Sequence, residues 1–518
     1  MSSELIQALQ DPTLYDHPVS NFEVLETHIS WVLLTGQFAY KIKKPRDFEF
    51  LDFSTLAQRK LYCEEELRLN RRLAPDIYQT LVAITGTPQH PQLDGQGEAF
   101  EYAVRMHQFD QSQMFDRLLA EDRLEDWHID QLAQQLADFH TGLPATQGEW
   151  GKPDAVRDPL VQNFAQIREH LEDPQLRHQL EQIEAWSLCT FERLQDLIEA
   201  RHRYGFVREC HGDLHLSNVT VYEGQVRVFD CIEFNESFRW IDTCNDLAFL
   251  LMDLELRGRP DKACRLLNRY LELTGDYGML PLLDFYKAYR AMVRAKIALL
   301  TRDNPELEVD HRADLLAKYQ RYAELADSYE AIPNRYLLVT TGLSGSGKSF
   351  VSRRLGEALG LIHIRSDVER KRLFGLSALE DSHERGIDIY TPEANSQTYQ
   401  RLEQLASRAL AAGYPVIVDA ACLRRSERQA LIDIAEAQGA PHLLVHCTAD
   451  EAVMRERLQK RCDSGQDPSE ADAVIMEKQK HYFEPLSDEE QGYTLEVDCA
   501  TTTATDQIIA EVRKHFGL

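Results

Sequence analysis

The chain has 518 residues, more than one hydrophobic core usually supports, so two or three domains are expected. With 43% hydrophobic and 27% charged residues it is composed like a globular protein and unlike a disordered one. Its net charge of −28 counts against a general role in binding DNA or RNA. Residues 1–330 carry 35 basic against 56 acidic residues, and residues 331–518 carry 22 against 29. The acidic N-terminal part suits either solubility alone or attraction of a cationic substrate. Ten cysteines are scattered without a CxxC pair or zinc-like spacing, which points to reduced thiols. No signal peptide or membrane span is visible, so a cytoplasmic location without membrane contact is expected.

In chain order, Trp31–Lys44 reads as a β-hairpin around Thr35-Gly36. Ser54 is the expected cap of a helix running to about Leu73, which Pro75 ends. Short strands follow near Leu81–Thr85 and Tyr102–Met106. Ser112 to Tyr204 is helical in pattern, with Pro144, Pro153 and Pro159 marking loops. A β-rich island spans Val207–Phe234, and helices resume from Thr243 to Tyr329. Ile332-Pro333-Asn334 then breaks the pattern. From Tyr336 the apolar runs Tyr336–Thr341, Leu361–Ile364, Pro415–Val418 and His442–Val445 alternate with helices and predict a parallel sheet. The expected organisation is one domain over 1–330, with a first lobe to about 108 and a helical lobe over 109–330, and a second domain over 331–518. There is no internal repeat.

Gly342-Leu-Ser-Gly-Ser-Gly-Lys348-Ser349 fits GxxxxGK[ST] in full, after a strand and before a helix. Glycines at Gly342, Gly345 and Gly347 let the backbone curl, so that successive N–H groups, those of Ser344 and Ser346 among them, face a phosphate. Lys348 is placed to neutralise the β- and γ-phosphates of ATP, and the Ser349 hydroxyl to ligate Mg²⁺. Asp367 follows the second predicted strand and Asp419 ends the third, where open α/β sheets hold their ligands. With these residues the segment resembles P-loop kinases of the gluconate-kinase, chloramphenicol-phosphotransferase and zeta-toxin type. The resemblance implies that Asp367, beside Arg365, binds or deprotonates the acceptor hydroxyl. It also implies that Asp419 holds Mg²⁺ or orients the acceptor. The basic helix Met454–Arg461 resembles the lid of these kinases, with Arg457 and Arg461 on one face stabilising transferred charge.

His211-Gly-Asp213-Leu-His-Leu-Ser-Asn218 fits HxDxxxxN and precedes a hairpin, Val219–Phe229, that ends in Asp230. A carboxylate and an amide five residues apart on a short loop can converge on one metal–phosphate cluster. This resembles the catalytic loop of the aminoglycoside phosphotransferases, the small-molecule branch of the protein-kinase-like fold. The resemblance implies that Asp213 accepts the acceptor's proton and that Asn218 and Asp230 hold Mg²⁺. Ala39-Tyr-Lys41 echoes the AxK whose lysine holds the α- and β-phosphates. Among Glu64, Glu65 and Glu66, the last is the expected partner. Tyr102–Phe109 is the expected hinge. No GxGxxG precedes Lys41, and Asp230 is followed by Cys231-Ile232 instead of Phe-Gly. His211 and Asp246 are read as structural.

The fold expected is therefore an α+β protein-kinase-like domain followed by an α/β P-loop domain with a parallel sheet. Taken whole, the chain resembles bacterial bifunctional aminoglycoside-phosphotransferase/ATP-binding proteins. That resemblance implies ATP and Mg²⁺ as cofactors and transfer of phosphate to small-molecule hydroxyls. The alternatives are an N-terminal pseudokinase that regulates the P-loop half, and a C-terminal kinase of nucleotide sugars or polynucleotide ends. The sequence specifies neither acceptor and no oligomeric state.

Overall fold

The computed structural model of the chain describes residues 2–48, 51–304, 307–331, 334–465, 467–500 and 504–518. The first part of the chain holds β1 (Glu23–Glu26), β2 (Ser30–Leu34) and β3 (Phe38–Lys43). A minor pair follows, β4 (Asp47–Phe48) and β5 (Leu51–Asp52), and then β6 (Tyr78–Thr87), β7 (His90–Leu93) and β8 (Glu101–His107). Six of these form an antiparallel sheet in the order β1-β2-β3-β8-β6-β7. The expected hairpin is β2–β3, with Leu34 opposite Ala39 and Gly36 at φ 93° in the turn. Strand periodicity sends Tyr40 and Ile42 to one face, with Leu33, Val82 and Ile84. Ala39, Lys41 and Lys43 take the other face, under the helix Leu56–Asn70. The outer strands β1 and β7 escape the sequence because β1 buries none of its residues and β7 buries only Pro91.

Thr55, one residue past the expected Ser54, caps that helix. Its hydroxyl accepts the Gln58 N–H at 3.2 Å while the Gln58 side chain reaches back to the Thr55 N–H. Such a reciprocal cap contributes about 1 kcal/mol. The helical stretch that follows contains Asp126–Gly142, Pro153–Glu169 and Pro174–Arg203. Pro159 marks no loop: the helix Pro153–Glu169 runs through it, without the one bond that its missing N–H cannot make. Next come β9 (Val207–Glu209), the hairpin β10 (Val219–Tyr222) with β11 (Gln225–Val228), and β12 (Trp240–Asp242), which pairs with β9. The helices Thr243–Leu256, Pro260–Thr274, Leu280–Arg302 and Val309–Ser328 complete the region. No helix among the described residues is long and apolar enough to cross a membrane. Among the described residues no cysteine is joined in a disulfide.

The C-terminal strands are β13 (Leu337–Thr341), β14 (Ile362–Arg365), β15 (Val416–Asp419), β16 (His442–Thr448) and β17 (Thr494–Asp498). They form one parallel sheet in the order β14-β15-β13-β16-β17. Four lie on the expected apolar runs. β17 does not announce itself, because only Val497 in it is buried while Glu496 and Asp498 are exposed. Leu338, Ile417 and Val445 pack against Val351 and Leu355 of the helix Lys348–Leu359 and Val512 of the helix Ala504–Phe516. Each such side chain contributes about 1.5–3 kcal/mol of burial.

Compactness divides the chain into 1–171 with 188–253, and 172–187 with 254–518. The break expected near 330, whose Ile332 and Pro333 lie outside the described residues, marks the start of strand–helix alternation. The compact unit starts earlier, because the helix Pro260–Thr274 packs on the helix Lys348–Leu359 and on β14. Asn268 makes the contact specific. Its Oδ1 accepts the His363 N–H at 2.9 Å and its Nδ2 donates to the Leu361 carbonyl at 2.8 Å. A side-chain amide thus completes the backbone bonding of the outermost strand. Replacing Asn268 with Ala removes two buried bonds, each contributing about 1 kcal/mol net. The expected result is faster hydrogen exchange at the His363 amide and a lower urea midpoint for the unit, and unchanged exchange would contradict it.

Candidate functional site

In the first unit the helix-facing lysines of β3 meet acids from two distant stretches. Lys41 Nζ lies 2.8 Å from Glu66 Oε1 and 2.5 Å from Asp230 Oδ1. Lys43 Nζ bridges Glu66 Oε2 at 2.7 Å and Glu233 Oε1. Helical phase separates the three consecutive glutamates. Glu64 pairs with Lys60 on the surface and Glu65 with Arg68, while Glu66 is fully buried against the lysines. Burial alone would raise the Glu66 carboxyl, but Lys41 and Lys43 hold it well below the usual range. Burial pushes Glu233 upward despite Lys43. Asp230 adopts φ 62°, a left-handed conformation that Asp tolerates better than most residues, and its N–H donates to the Tyr78 hydroxyl at 3.2 Å. Cys231 N–H donates to Asn70 Oδ1 at 2.8 Å, tying this segment to the helix Leu56–Asn70.

The loop 211–218 is braced from behind. Asp246 accepts the His211 N–H at 3.0 Å and the Gly212 N–H at 2.8 Å. Gly212 sits at φ 86°, and a Cβ there would fall 2.7 Å from the Phe238 carbonyl. His211 is neutral and structural. Burial lowers its pKa, its Nδ1 faces the Asp213 N–H at 3.3 Å, and its Nε2 donates to the Phe229 carbonyl at 2.9 Å. Asn218 Nδ2 donates to the Asp213 carbonyl at 2.9 Å and lies 3.3 Å from its Oδ2, which His215 Nε2 also approaches at 3.3 Å. The Phe229 N–H donates to the Asn218 carbonyl at 3.0 Å, so the segment bearing Asp230 runs beside this loop. His140, Cys210 and Asp246 come within 4.8 Å of one another. Asp246 is bound to backbone N–H groups and burial raises the Cys210 thiol, so the cluster reads as a brace and not as a ligand set.

In the second unit, the loop Gly342–Gly347 joins β13 to the helix Lys348–Leu359, at the carboxyl end of the sheet. Gly342 has φ 142° and Gly347 φ 104°, and a Cβ on Gly342 would lie 2.3 Å from the Cys447 carbonyl. Lys348 Nζ donates to the carbonyls of Gly342 at 2.9 Å and Leu343 at 2.8 Å. Its burial lowers its pKa against the pull of Asp419 and Asp367. Ser344 N–H donates to Gln479 Oε1 at 2.8 Å, and the buried Ser346 hydroxyl has no hydrogen-bond partner among the described residues. Asp419 and Arg365 are register partners at the ends of β15 and β14. The Asp419 carboxylate lies 3.2 Å from His363 Nε2, and the Ser349 hydroxyl is near enough to favour its charged form. Burial would raise its pKa from 3.8, but His363, Arg365 and Ser349 bring it down to about 2.

Asp367 opens the helix Ser366–Leu373 and is close enough to support the charges of Lys348 and Arg365. Of the basic helix Glu451–Ser464, Arg457 donates to the carbonyls of Gly345 at 3.3 Å, Ser346 at 3.4 Å and Cys499 at 2.6 Å. It therefore braces the phosphate loop through its carbonyls. Arg461, one turn on, lies 4.0 Å from Asp467. Lys43, Glu233, His363 and Gln479 are members of these clusters that the motifs did not name. Lys43 and His363 were findable as same-face neighbours of Lys41 and Arg365; Glu233 and Gln479 carry no motif.

An uncharacterized protein of Mycobacterium tuberculosis is 29% identical over 478 residues, 88% of this chain and 90% of that protein. Among solved structures, a gluconokinase from Sinorhizobium meliloti matches 35% of this chain and 98% of its own, at 23% identity and TM-score 0.25. A choline/ethanolamine kinase family protein from Mesorhizobium loti matches 62% of this chain and 98% of its own, at 12% identity and TM-score 0.37. Residues 337–486, from the first strand of the parallel sheet to just past the helix Ala473–Tyr482, match the family model AAA_33, an AAA domain.

Proposed function

We propose that the chain is a bifunctional ATP-dependent phosphotransferase in which each unit moves the γ-phosphoryl of ATP to a hydroxyl of a small molecule. One observation carries this: in both units a lysine stands near carboxylates gathered from distant sequence, Lys41 with Glu66 and Asp230, and Lys348 with Asp419. The donor sets fit a hard divalent cation, all of them oxygen. Asn218 and Asp230 would hold Mg²⁺ in the first unit, and Ser349 and Asp419 in the second. When bound, Mg²⁺ neutralises charge on the phosphates.

In the first unit Lys41, kept in place by Glu66, binds the α- and β-phosphates. Asp213 takes the proton of the acceptor hydroxyl as its oxygen attacks the γ-phosphorus and ADP leaves. Orientation of Asp213 falls to Asn218 and His215, both within 3.3 Å of Oδ2. In the second unit the amides of the phosphate loop cradle the β-phosphate, and Lys348 exchanges its two carbonyl contacts for phosphate oxygens. Asp367 receives the acceptor's proton there. Arg461 covers the triphosphate, and Arg457 reaches it only by releasing the loop carbonyls. Regulation by a non-catalytic first unit is the alternative, favoured by one observation: Asp230 Oδ1 already holds Lys41 at 2.5 Å.

The test is labelling of a small-molecule extract with γ-labelled ATP by the full chain. Asp213→Ala and Lys348→Ala should each lose a different set of products by about a hundredfold or more. Labelling unchanged by Lys348→Ala would overturn the C-terminal assignment. Products indifferent to Asp213→Ala, but altered in yield by Lys41→Met, would favour regulation. Asp419 gives a second expectation. A carboxyl whose folded pKa lies below its unfolded value adds stability that is full above the unfolded value and is lost as pH falls through the folded one. Asp419→Asn should therefore lower the unit's unfolding midpoint near neutral pH. The difference from wild type should shrink from about pH 5 down to about pH 2.

A further inference from the structure

Arg365, a largely buried side chain, stands apart from the buried cations of the second unit. Its three guanidinium nitrogens each face a different carboxylate: Glu272 at 3.6 Å, Asp419 at 3.7 Å and Asp467 at 3.8 Å. These are ion-pair distances, too long for hydrogen bonds. No hydrogen-bond partner lies within reach of its buried Nε among the described residues. Arg428 shows the contrast, with its Nε 2.6 Å and one terminal nitrogen 3.1 Å from the two oxygens of Glu490. Arg365 is held by charge, and its donors are left for something else.

Asp419 and Asp467 belong to the segment that contains the phosphate loop, whereas Glu272 comes from the helix Pro260–Thr274. That helix is anchored at the sheet edge by Asn268, and its end is fixed by Arg372, which donates to the Glu272 carbonyl at 2.5 Å. Arg269 holds the other carboxylate oxygen of Glu272 at 3.0 Å, which leaves Oε1 turned to Arg365. Burial opposes the charge of Arg365, and Glu272 offsets that more than any other acid.

We propose that Glu272 is a positioning residue of the C-terminal site: with Asp419 and Asp467 it suspends the Arg365 guanidinium with its donors unbonded, ready for an oxygen of the acceptor or of the transferred phosphoryl group. The assignment rests on reading the carboxyl end of β14 as the acceptor side. It also makes the helix before residue 330 part of that site, so a fragment starting at 331 lacks one of its members.

The test uses the full chain with ¹⁵N-arginine, the Arg365 Nε–H signal being assigned by its loss in Arg365→Lys. Glu272→Gln should speed hydrogen exchange at this group by about tenfold, with Glu272→Asp restoring most of the protection. The Mg-ADP binding event that Lys348→Ala abolishes should keep its affinity within about twofold. Unchanged exchange at Arg365 in Glu272→Gln would overturn the proposal. So would an equal rise at the Arg428 Nε–H, which would show general loosening. If wild type shows no Mg-ADP event, the nucleotide assignment of the phosphate loop fails, and the exchange comparison still decides the role of Glu272.

Discussion

A cation taken out of water has to be met by carboxylates, and at Lys41 that requirement draws three separated stretches of chain to one point. β3 supplies Lys41 and Lys43, the helix Leu56–Asn70 supplies Glu66, and the segment after β11 supplies Asp230 and Glu233. Removing one member of such a group leaves an uncompensated buried charge, which costs about 3–5 kcal/mol. Strand, helix and loop are therefore mutually fixed by electrostatics as well as by the apolar contacts of Ala39, Cys63 and Leu67. The arrangement also explains why no glycine-rich cover is needed to locate Lys41. Its position is set from below.

The second unit solves the same problem with the opposite sign. Asp419 is the buried ion, and His363, Arg365 and Ser349 converge on it. Because β14 and β15 run parallel and in register, Arg365 and Asp419 reach the same end of the sheet without any loop having to carry them. Lys348 and the Ser344 amide are meanwhile satisfied by the Gly342 and Leu343 carbonyls and by Gln479. All three are hydrogen bonds to uncharged oxygen acceptors.

What could be read from the sequence was whatever is encoded locally. The phosphate loop, the first four strands of the parallel sheet in chain order, the hairpin bearing Lys41 and the loop 211–218 are each written in a short local stretch. Glu66 is set apart from its two neighbours by helical phase, which buries it while Glu64 and Glu65 pair with Lys60 and Arg68. Glu233 and Glu272 were out of reach, since each acts through a partner 190 residues or more than 90 positions away, with no periodicity to mark it. The outer strands β1, β7 and β17 were missed for a related reason: an edge strand that buries at most one residue lacks the alternation by which strands are recognised. The compact units differ from the border expected near 330, where strand–helix alternation begins, because Asn268 ties an earlier helix to β14.

The bonding of β14 by Asn268 has a consequence for the molecule in a crowded cell. An unpaired strand edge is a template onto which another chain can add, and natural sheets blunt such edges in different ways. One border of this sheet is blunted by a neutral amide, the other by the exposed acids Glu496 and Asp498 of β17. Order of synthesis favours the first device. At roughly 5–20 residues per second the helix Pro260–Thr274 is made several seconds before β14. The protective group thus waits for the strand, and the nascent sheet need not pass through a stage with that flank open to aggregation.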